Sequence, residues 1–370
     1  MSNRLRNRYR HGEASDPLDE PVGPSRARRV RLEDVARRAQ VSPSTASRAL
    51  NGRGQLAAET RAAVIEAAEA LDFRPSPFAR SLRTRRSSMV GLVVPDAGHP
   101  FYSALLRGAQ SVLDEVGYRV TLLEAGPDGA RGERAMDTLL DHHAEGMLAA
   151  TAGPWAQRLV GPGAEMPVVF VDDVPDDVDA PGILAENAAG MRALVDHLVG
   201  HGHRRIGLLA GPDRTGRERL EGFRAAVAAH GGSGVEGTVR SCAWSMAAGF
   251  REGRALLDCA PRPTAVVASS AELALGFLAA SRVAGIAVPD GVALASFDDP
   301  YFAPLLQPAL TAVGYDATAM GARAAHMLVD AIDGVDLARS PERVAVSLTA
   351  RSSCGCEHDL EADLLEVAGE

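Results

Sequence analysis

The stretch Val41-Ser42-Pro43-Ser44-Thr45-Ala46-Ser47-Arg48-Ala49-Leu50-Asn51-Gly52 decides the architecture at the start of the chain. Ser42 offers an N-cap, and Pro43 occupies the first helical position, where its missing N–H costs nothing. Asn51-Gly52 is a C-terminal breaker pair, so the spacing predicts a short helix over 43–50. Ahead of it, Leu32, Val35, Ala36 and Ala39 fall at helical spacing, with Glu33 and Asp34 favourably placed in the first turn. Val41 reads as a buried turn residue. A third helix is expected from about Ala58 to Leu71, burying Val64, Ala67, Ala68 and Leu71. Three short helices with a tight turn between the first two form a helix-turn-helix unit. The second helix is too polar to be core all round. Its outward face is Ser44, Ser47 and Arg48 beside Pro43, small residues and one arginine that suit a close fit in the major groove of double-stranded DNA.

Charge separates this head from the rest. The formal net charge is -9, yet residues 1–90 hold 18 Arg and 10 acidic residues, a balance of +8. The remainder holds 21 Arg and 38 acidic residues, a balance of -17, and the chain contains no lysine. A basic head on an acidic body is what nucleic-acid binding by the head alone needs, although a basic tail with no partner gives the same numbers. A length of 370 residues implies two or three structural units, and a hydrophobic content of 46% is enough to give them buried cores. No apolar window is long enough to span a bilayer, and the arginine-rich start lacks an apolar signal core. Four cysteines do not make a disulfide framework, so a cytoplasmic protein without membrane contact is expected.

Residues 1–29, with Arg4, Arg6, Arg8 and Arg10, show no apolar period and read as a disordered basic tail. From Met89 strands and helices alternate: strand 89–94, helix 101–116, strand 118–123, helix 133–144, then strands at 146–150 and 167–172. The rhythm continues with helix 188–200, strand 205–210, helices 216–230 and 246–258, strand 264–269, helix 272–284 and strand 292–298. Strands that read as continuous apolar runs, joined by crossover helices, imply parallel sheets covered on both faces. This many strands need two sheets.

The head segment, together with Glu59-Thr60-Arg61 and Phe73-Arg74-Pro75 leading to Ala79-Arg80-Ser81-Leu82, strongly resembles the DNA-binding head of the lac repressor (LacI/GalR) family. The likeness runs on through Gly91-Leu92-Val93-Val94-Pro95, Pro100-Phe101-Tyr102, Gly202-His203-Arg204-Arg205-Ile206, Arg217-Glu218-Arg219-Leu220-Glu221-Gly222-Phe223, Pro263-Thr264-Ala265-Val266 and Ser296-Phe297-Asp298-Asp299. It covers about 30–355. The resemblance implies an all-α helix-turn-helix head plus a two-lobed, doubly wound α/β body like a periplasmic sugar-binding protein, with three crossovers and the ligand between the lobes. The expected boundaries are a head at 30–75, a hinge helix or linker at 76–88, a body at 89–355 and a tail at 356–370. Lobe one is expected at about 89–170 and 316–338, lobe two at about 171–315 and 339–355.

The resemblance also implies roles. Pro43, Ser44 and Arg48 fall where the recognition helix touches base edges; Thr45, Ser47 and Asn51 would hold phosphates. Leu82, flanked by Arg80, falls at the hinge leucine that wedges into the minor groove, ordinary helix packing being the alternative. In the cleft, Asp298 would accept hydrogen bonds from ligand hydroxyls, Arg217 matches the family's ligand-binding arginine, and Phe101 and Trp244 could lie against a sugar ring. Ser270 stands in Ser269-Ser270-Ala271-Glu272 where many relatives carry Asn-Asp. Gly314-Tyr315 replaces a basic-Gln pair, and Asp173 stands where Arg is common. In the head, Gln40 replaces a turn glycine at a position that often wants a positive φ.

Enzyme chemistry has little support: there is no dinucleotide loop, Walker motif or nucleophile elbow, and no cofactor is expected. Cys354-Gly355-Cys356 offers two ligands, which alone do not make a zinc site. His201 and His203 read as helix-end residues, and Leu360, Leu364 and Val367 are too few for a tetramerising coiled coil. The sequence therefore predicts a homodimeric repressor that reads a palindromic operator under control of a sugar or polyol. A solute-binding protein, a sugar enzyme, an activator and a regulator without an effector are the competing readings.

Overall fold

Helix α1 (Leu32–Arg38) starts where the Arg31 backbone N–H donates to the Asp34 carboxylate at 3.0 Å, and it carries Arg37 and Arg38 in its last turn. Gln40 then turns the chain with φ at 52°, the left-handed conformation that the family's glycine would adopt without strain. Ser42 Oγ accepts the Thr45 N–H at 3.1 Å and opens α2 (Pro43–Leu50). Helix α3 (Ala58–Ala70) closes the unit. Val35, Ala36, Ala46, Ala49, Val64, Ala67 and Ala68 form its core, with Leu32, Val41, Leu71 and Phe73 at the margin.

The computed structural model describes residues 30–50, 56–73, 86–126, 131–151, 154–161, 163–175 and 179–363. The tail 1–29, Asn51, Arg80, Leu82, residues 76–85 of the hinge segment, Leu364 and Val367 lie outside the described residues. The chain divides into two compact units between Arg80 and Ser81.

The second unit is built on two six-stranded sheets. The first is formed by β1 (Met89–Val94), β2 (Arg119–Glu124), β3 (Gly146–Ala149), β4 (Val168–Val171), β5 (Gly182–Ala185) and β11 (Glu342–Val344), in the order β11-β5-β4-β3-β1-β2. The second is formed by β6 (Arg205–Ala210), β7 (Glu236–Ser241), β8 (Ala265–Ala268), β9 (Ala293–Phe297), β10 (Thr311–Gly314) and β12 (Ser347–Thr349), in the order β12-β10-β9-β8-β6-β7. Helices α4 (Pro100–Glu115), α5 (Gly132–Asp141) and α10 (Ala317–Ile332) belong to the first lobe. Helices α6 (Asn187–Gly200), α7 (Arg214–Ala229), α8 (Met246–Leu257) and α9 (Ala271–Ala284) belong to the second. Two apolar clusters lie in each lobe, one on either face of its sheet, as parallel sheets require. Helices α4 and α10 meet backbone to backbone: a Cβ on Gly108 would sit 1.8 Å from the Thr318 carbonyl oxygen, and one on Gly321 would sit 2.1 Å from that of Leu105.

Three sequence expectations change. Strand β5 pairs with β4, so the first crossing between lobes follows Ala185 rather than residue 171. The segment 339–355 is shared, with β11 in the first sheet and β12 in the second. Because only Ala345 and Val346 separate them, no crossover helix fits, and β12 enters its sheet antiparallel to β10. The second sheet is thus parallel except at this edge. Residues beyond 355 also belong to the body: a helical turn at 360–363 brings Asp363 against the buried Arg351.

Candidate nucleic-acid interface and effector cleft

On α2, Ala46 and Ala49 are buried while Pro43, Ser44 and Arg48 are exposed on the opposite side, with Thr45 and Ser47 between. Small side chains at the N-terminus let a backbone or base edge come close. Ser42 Oγ also lies 2.8 Å from Ser44 Oγ and 2.9 Å from Thr45 Oγ1, so the first turn is ordered by its own hydroxyls. The Arg48 guanidinium rests 3.4 Å from Thr45 Oγ1 and is held over the same face.

In the second unit, polar side chains converge at the carboxyl ends of the strands, where open α/β sheets place ligands. Asp172 follows β4 and Asp298 follows β9, with φ at 66° and 69°. Aspartate tolerates this left-handed conformation better than most residues. Arg219, on α7, is 2% exposed and joins the second lobe's loops together. It donates to both Asp298 carboxylate oxygens at 3.3 Å, to the Ser269 carbonyl at 2.6 Å and to Asn187 Oδ1 at 2.9 Å. Its guanidinium lies 3.7 Å from the centre of the Phe297 ring, a cation–π contact. Tyr315 Oη donates to Asp298 at 3.5 Å.

From the first lobe, His99 Nδ1 accepts the Phe101 N–H at 3.2 Å and caps α4. That leaves Nε2 as the donor toward Glu272 Oε1 at 2.6 Å, across the lobes. Burial pulls the His99 imidazolium down, but the Glu272 hydrogen bond and the negative charges of Glu272, Asp298 and Asp172 outweigh it and raise the imidazole above its ordinary value. Phe101 packs edge-on against Tyr102 and Tyr315, at 4.9 and 5.8 Å between ring centres. Further contacts cross the lobes: Thr215 Oγ1 donates to the Asp172 carbonyl, Arg214 donates to the Pro175 carbonyl at 3.4 Å, and Arg343 grips Glu218 with two nitrogens at 2.6 and 2.9 Å. Burial would raise the Glu218 carboxyl, but hydrogen bonds from Arg343, Asn187 and Arg214 hold it down at about 2.

The expected cleft residues separate. Asp298 and Phe101 face the convergence. Trp244 donates its indole N–H to Asp213, which also caps α7 by accepting the Gly216 N–H at 2.8 Å. Ser270 is buried and its hydroxyl caps α9 by accepting the Leu273 N–H at 3.3 Å. Arg217 is exposed on α7, whereas Arg219, two residues on, is buried and bonds Asp298. Helical period carries the reason, since Thr215, Gly216, Arg219, Gly222, Phe223 and Ala226 make the buried stripe of α7. Asp172, His99, Tyr102 and Asp213 are further cleft residues beyond those the sequence singled out, and Glu272 and Tyr315, read only as departures from the family's motifs, join them.

Asp172 has an unusual acidity. Enclosure by protein raises its carboxyl from 3.8 to about 7; Arg219 opposes the rise, and the charges of Asp298, Asp213 and Asp173 add to it. A carboxyl raised in the folded state keeps its proton while the unfolded chain has lost it. Its cost to stability therefore grows from about pH 4 to about pH 7 and is constant above. Three pH units would be about 4 kcal/mol, and partial solvent access reduces this to ~1–2 kcal/mol. Asp172→Asn is expected to be more stable than the parent by this amount at pH 8, with the gain shrinking toward pH 4. Urea midpoints measured across that range check it, and a pH-independent difference would refute the assignment.

Residues 31–76 match the bacterial regulatory proteins of the lacI family, and residues 195–354 match the periplasmic binding protein-like domain. The chain is 33% identical over 342 residues to the HTH-type transcriptional regulator reg1 of Streptomyces lividans, covering 88% of this chain and 96% of that one. The chain belongs to the LacI family of transcriptional regulators. It is 35% identical to the HTH-type transcriptional regulator CelR of Thermobifida fusca, over 84% of this chain and 94% of that one. A lac repressor dimer bound to operator and an anti-inducer superposes with a TM-score of 0.79 at 26% identity, covering 88% of this chain and 99% of that one. A complex of CelR with cellobiose superposes with a TM-score of 0.66 at 32% identity, over 88% and 100%. As in other LacI-family proteins, the head and the two-lobed body occur in one chain. No helix among the described residues is long and apolar enough to cross a membrane.

Proposed function

We propose that this protein is a sequence-specific repressor that binds a palindromic DNA operator as a homodimer and is controlled by a small sugar-like effector held between its lobes. The observation that carries the reading is the face of α2, where Pro43, Ser44 and Arg48 stand exposed above a buried alanine seam. A two-fold dimer presents two such faces and so reads two half-sites. The cleft supports the second half of the proposal. Carboxylates at Asp172, Asp213 and Asp298 accept hydrogen bonds from hydroxyls, Arg219 donates, and Phe101 and Tyr102 offer apolar ring faces, the mixture that suits a polyhydroxylated ring. Relatives point the same way: one of similar length in Escherichia coli, 31% identical, is a ribose operon repressor. An effector bridging Asp172 on one lobe and Asp298 on the other has a different affinity for each interlobe angle. That difference is what coupling to DNA requires.

The test is binding of the full chain to fragments of its own promoter region across a salt series. Specific binding should weaken steeply with salt as phosphate counterions are released. Arg48→Ala is expected to cost about 1–3 kcal/mol, a loss of roughly 5- to 150-fold, and to relax preference at one base position of each half-site. An Arg48→Ala protein that binds the same palindrome undiminished would overturn the assignment of α2 as the reading helix. Sugars and polyols that change the operator affinity in the same assay would identify the effector class.

A further inference from the structure

A second cluster of polar side chains lies away from the cleft, on the other end of α6. His197 and His201 are one turn apart on this helix, so their rings leave the same face, with centres 4.6 Å apart. The chain returning from β12 brings Cys354 and Cys356 to that face. His197 Nε2 is 3.1 Å from Cys354 Sγ and 3.7 Å from Cys356 Sγ; His201 Nε2 is 3.3 Å from Cys356 Sγ. The two sulfurs are 3.3 Å apart, and all four cysteines of the chain are free thiols. The ligand atoms of His197, His201 and Cys356 lie within 4.8 Å of one another.

We propose that His197, His201, Cys354 and Cys356 form a site for a tetrahedral transition-metal ion of the zinc type. Zinc holds thiolate sulfur at about 2.3 Å and imidazole nitrogen at about 2.0–2.1 Å, which puts tetrahedral donor atoms about 3.3–3.8 Å apart. Three of the four separations above fall in that range, and the fourth, His197 Nε2 to Cys354 Sγ at 3.1 Å, is slightly shorter. Two imidazoles and two thiolates complete the coordination, so the site is a structural clip with no position left for substrate. The sulfurs are well beyond the roughly 2.05 Å of a disulfide, although they are near enough to compete for that bond under oxidation. Binding releases the two thiol protons to solvent and changes no oxidation state. His197 and Cys354 are the sheltered ligands and His201 is exposed, which gives the ion an entry path. The position also has a consequence for the cleft. Arg351, three residues before Cys354, grips Asp299 with two nitrogens at 2.7 and 2.8 Å, and Asp299 follows Asp298. A metal clip fixes the segment that carries Arg351.

The experiment is a titration of the tag-free, full-length, reduced protein with Co2+, whose spectrum reports both geometry and thiolate ligation. The proposal expects one equivalent to give visible bands of tetrahedral intensity with sulfur-to-metal charge transfer, both abolished by added Zn2+. It also expects Zn2+ to raise the melting temperature. Cys356→Ser should remove about half of the charge transfer, and His201→Ala should weaken binding at least tenfold. His201 is exposed, so its replacement keeps the test usable if a change at the buried Cys354 impairs folding. No tetrahedral spectrum at one equivalent, or binding undiminished in a His201→Ala, Cys356→Ser double variant, would overturn the site. So would thiols that pass to a Cys354–Cys356 disulfide in preference to taking Zn2+ from a reducing buffer.

Discussion

Arg219→Met is expected to lose about 3–5 kcal/mol of stability, and with it any response to the cleft's effector. The size follows from what the guanidinium leaves behind. Asp298, the Ser269 carbonyl and Asn187 all lose their donor at a position where the arginine itself is 2% exposed. Removing one partner of a buried ion pair costs this much because the other charge stays desolvated. Lysine should not restore the parent, since one ammonium cannot reach Asp298, Ser269 and Asn187 in the planar fork that five fixed donors provide. Loss of Arg219 also removes a positive charge that opposes the rise of the Asp172 carboxyl, so Asp172 should titrate higher still in the variant. Arg217→Ala, two residues away and exposed, is the matched control and should change stability by less than about 1 kcal/mol. Equilibrium denaturation of the three proteins decides the matter. Equal losses for Arg217→Ala and Arg219→Met would mean that the cleft is built differently from the geometry described above.

Legibility in the sequence follows the strength of the local signal. Alternating apolar runs and helical stripes place thirteen of the helices and strands of the body, because buried parallel strands such as Val90–Val94 and Leu208–Ala210 leave no polar face to confuse the pattern. Strand β7 escapes that reading because Glu236, Gly237 and Thr238 are exposed at a sheet edge, and the segment Glu236–Ser241 carries no apolar run. Strands β5, β11 and β12 have three or four residues each, too few to show a period. In the head, the N-cap at Ser42 and the strained turn at Gln40 were readable because both are local backbone effects. The cleft was half readable. Asp298 stands directly at a strand end, whereas Arg219, which the sequence reading does not single out, lies on the buried stripe that the 3.6-residue period of α7 makes. Asp172 and the His99–Glu272 contact gave no sequence signal, since each acquires its character chiefly from groups more than 25 residues away. The histidine–cysteine cluster is the clearest case of this kind: its two halves are 153 or more residues apart in the chain and meet only through the sheet that β12 joins.

Arg351→Met is expected to destabilise the body by a further ~3–5 kcal/mol, measured alone, and ending the chain at Glu357 should cost part of the same energy. Arg351 is 1% exposed and bonds the Asp299 carboxylate, the Leu310 carbonyl at 2.6 Å and Asp363, on a segment that sequence alone reads as a tail. Asp363 also accepts from His358 at 2.8 Å, so its carboxyl is held below its ordinary value, chiefly by Arg351. Truncation removes Asp363 but leaves Arg351 paired with Asp299. The loss should therefore be that of a charge-assisted hydrogen bond pair, about 1.5–3 kcal/mol, and smaller than that of Arg351→Met. Adding the truncation to Arg351→Met should then cost almost nothing more, because the arginine that Asp363 served is already gone. Denaturant midpoints of the four proteins, at unchanged slope, measure this coupling. A truncated chain as stable as the parent would show that residues 358–363 do not support the cleft. A coupling of 1 kcal/mol or more would show that the C-terminal segment is a working part of the lobe that carries Asp298 and Asp299.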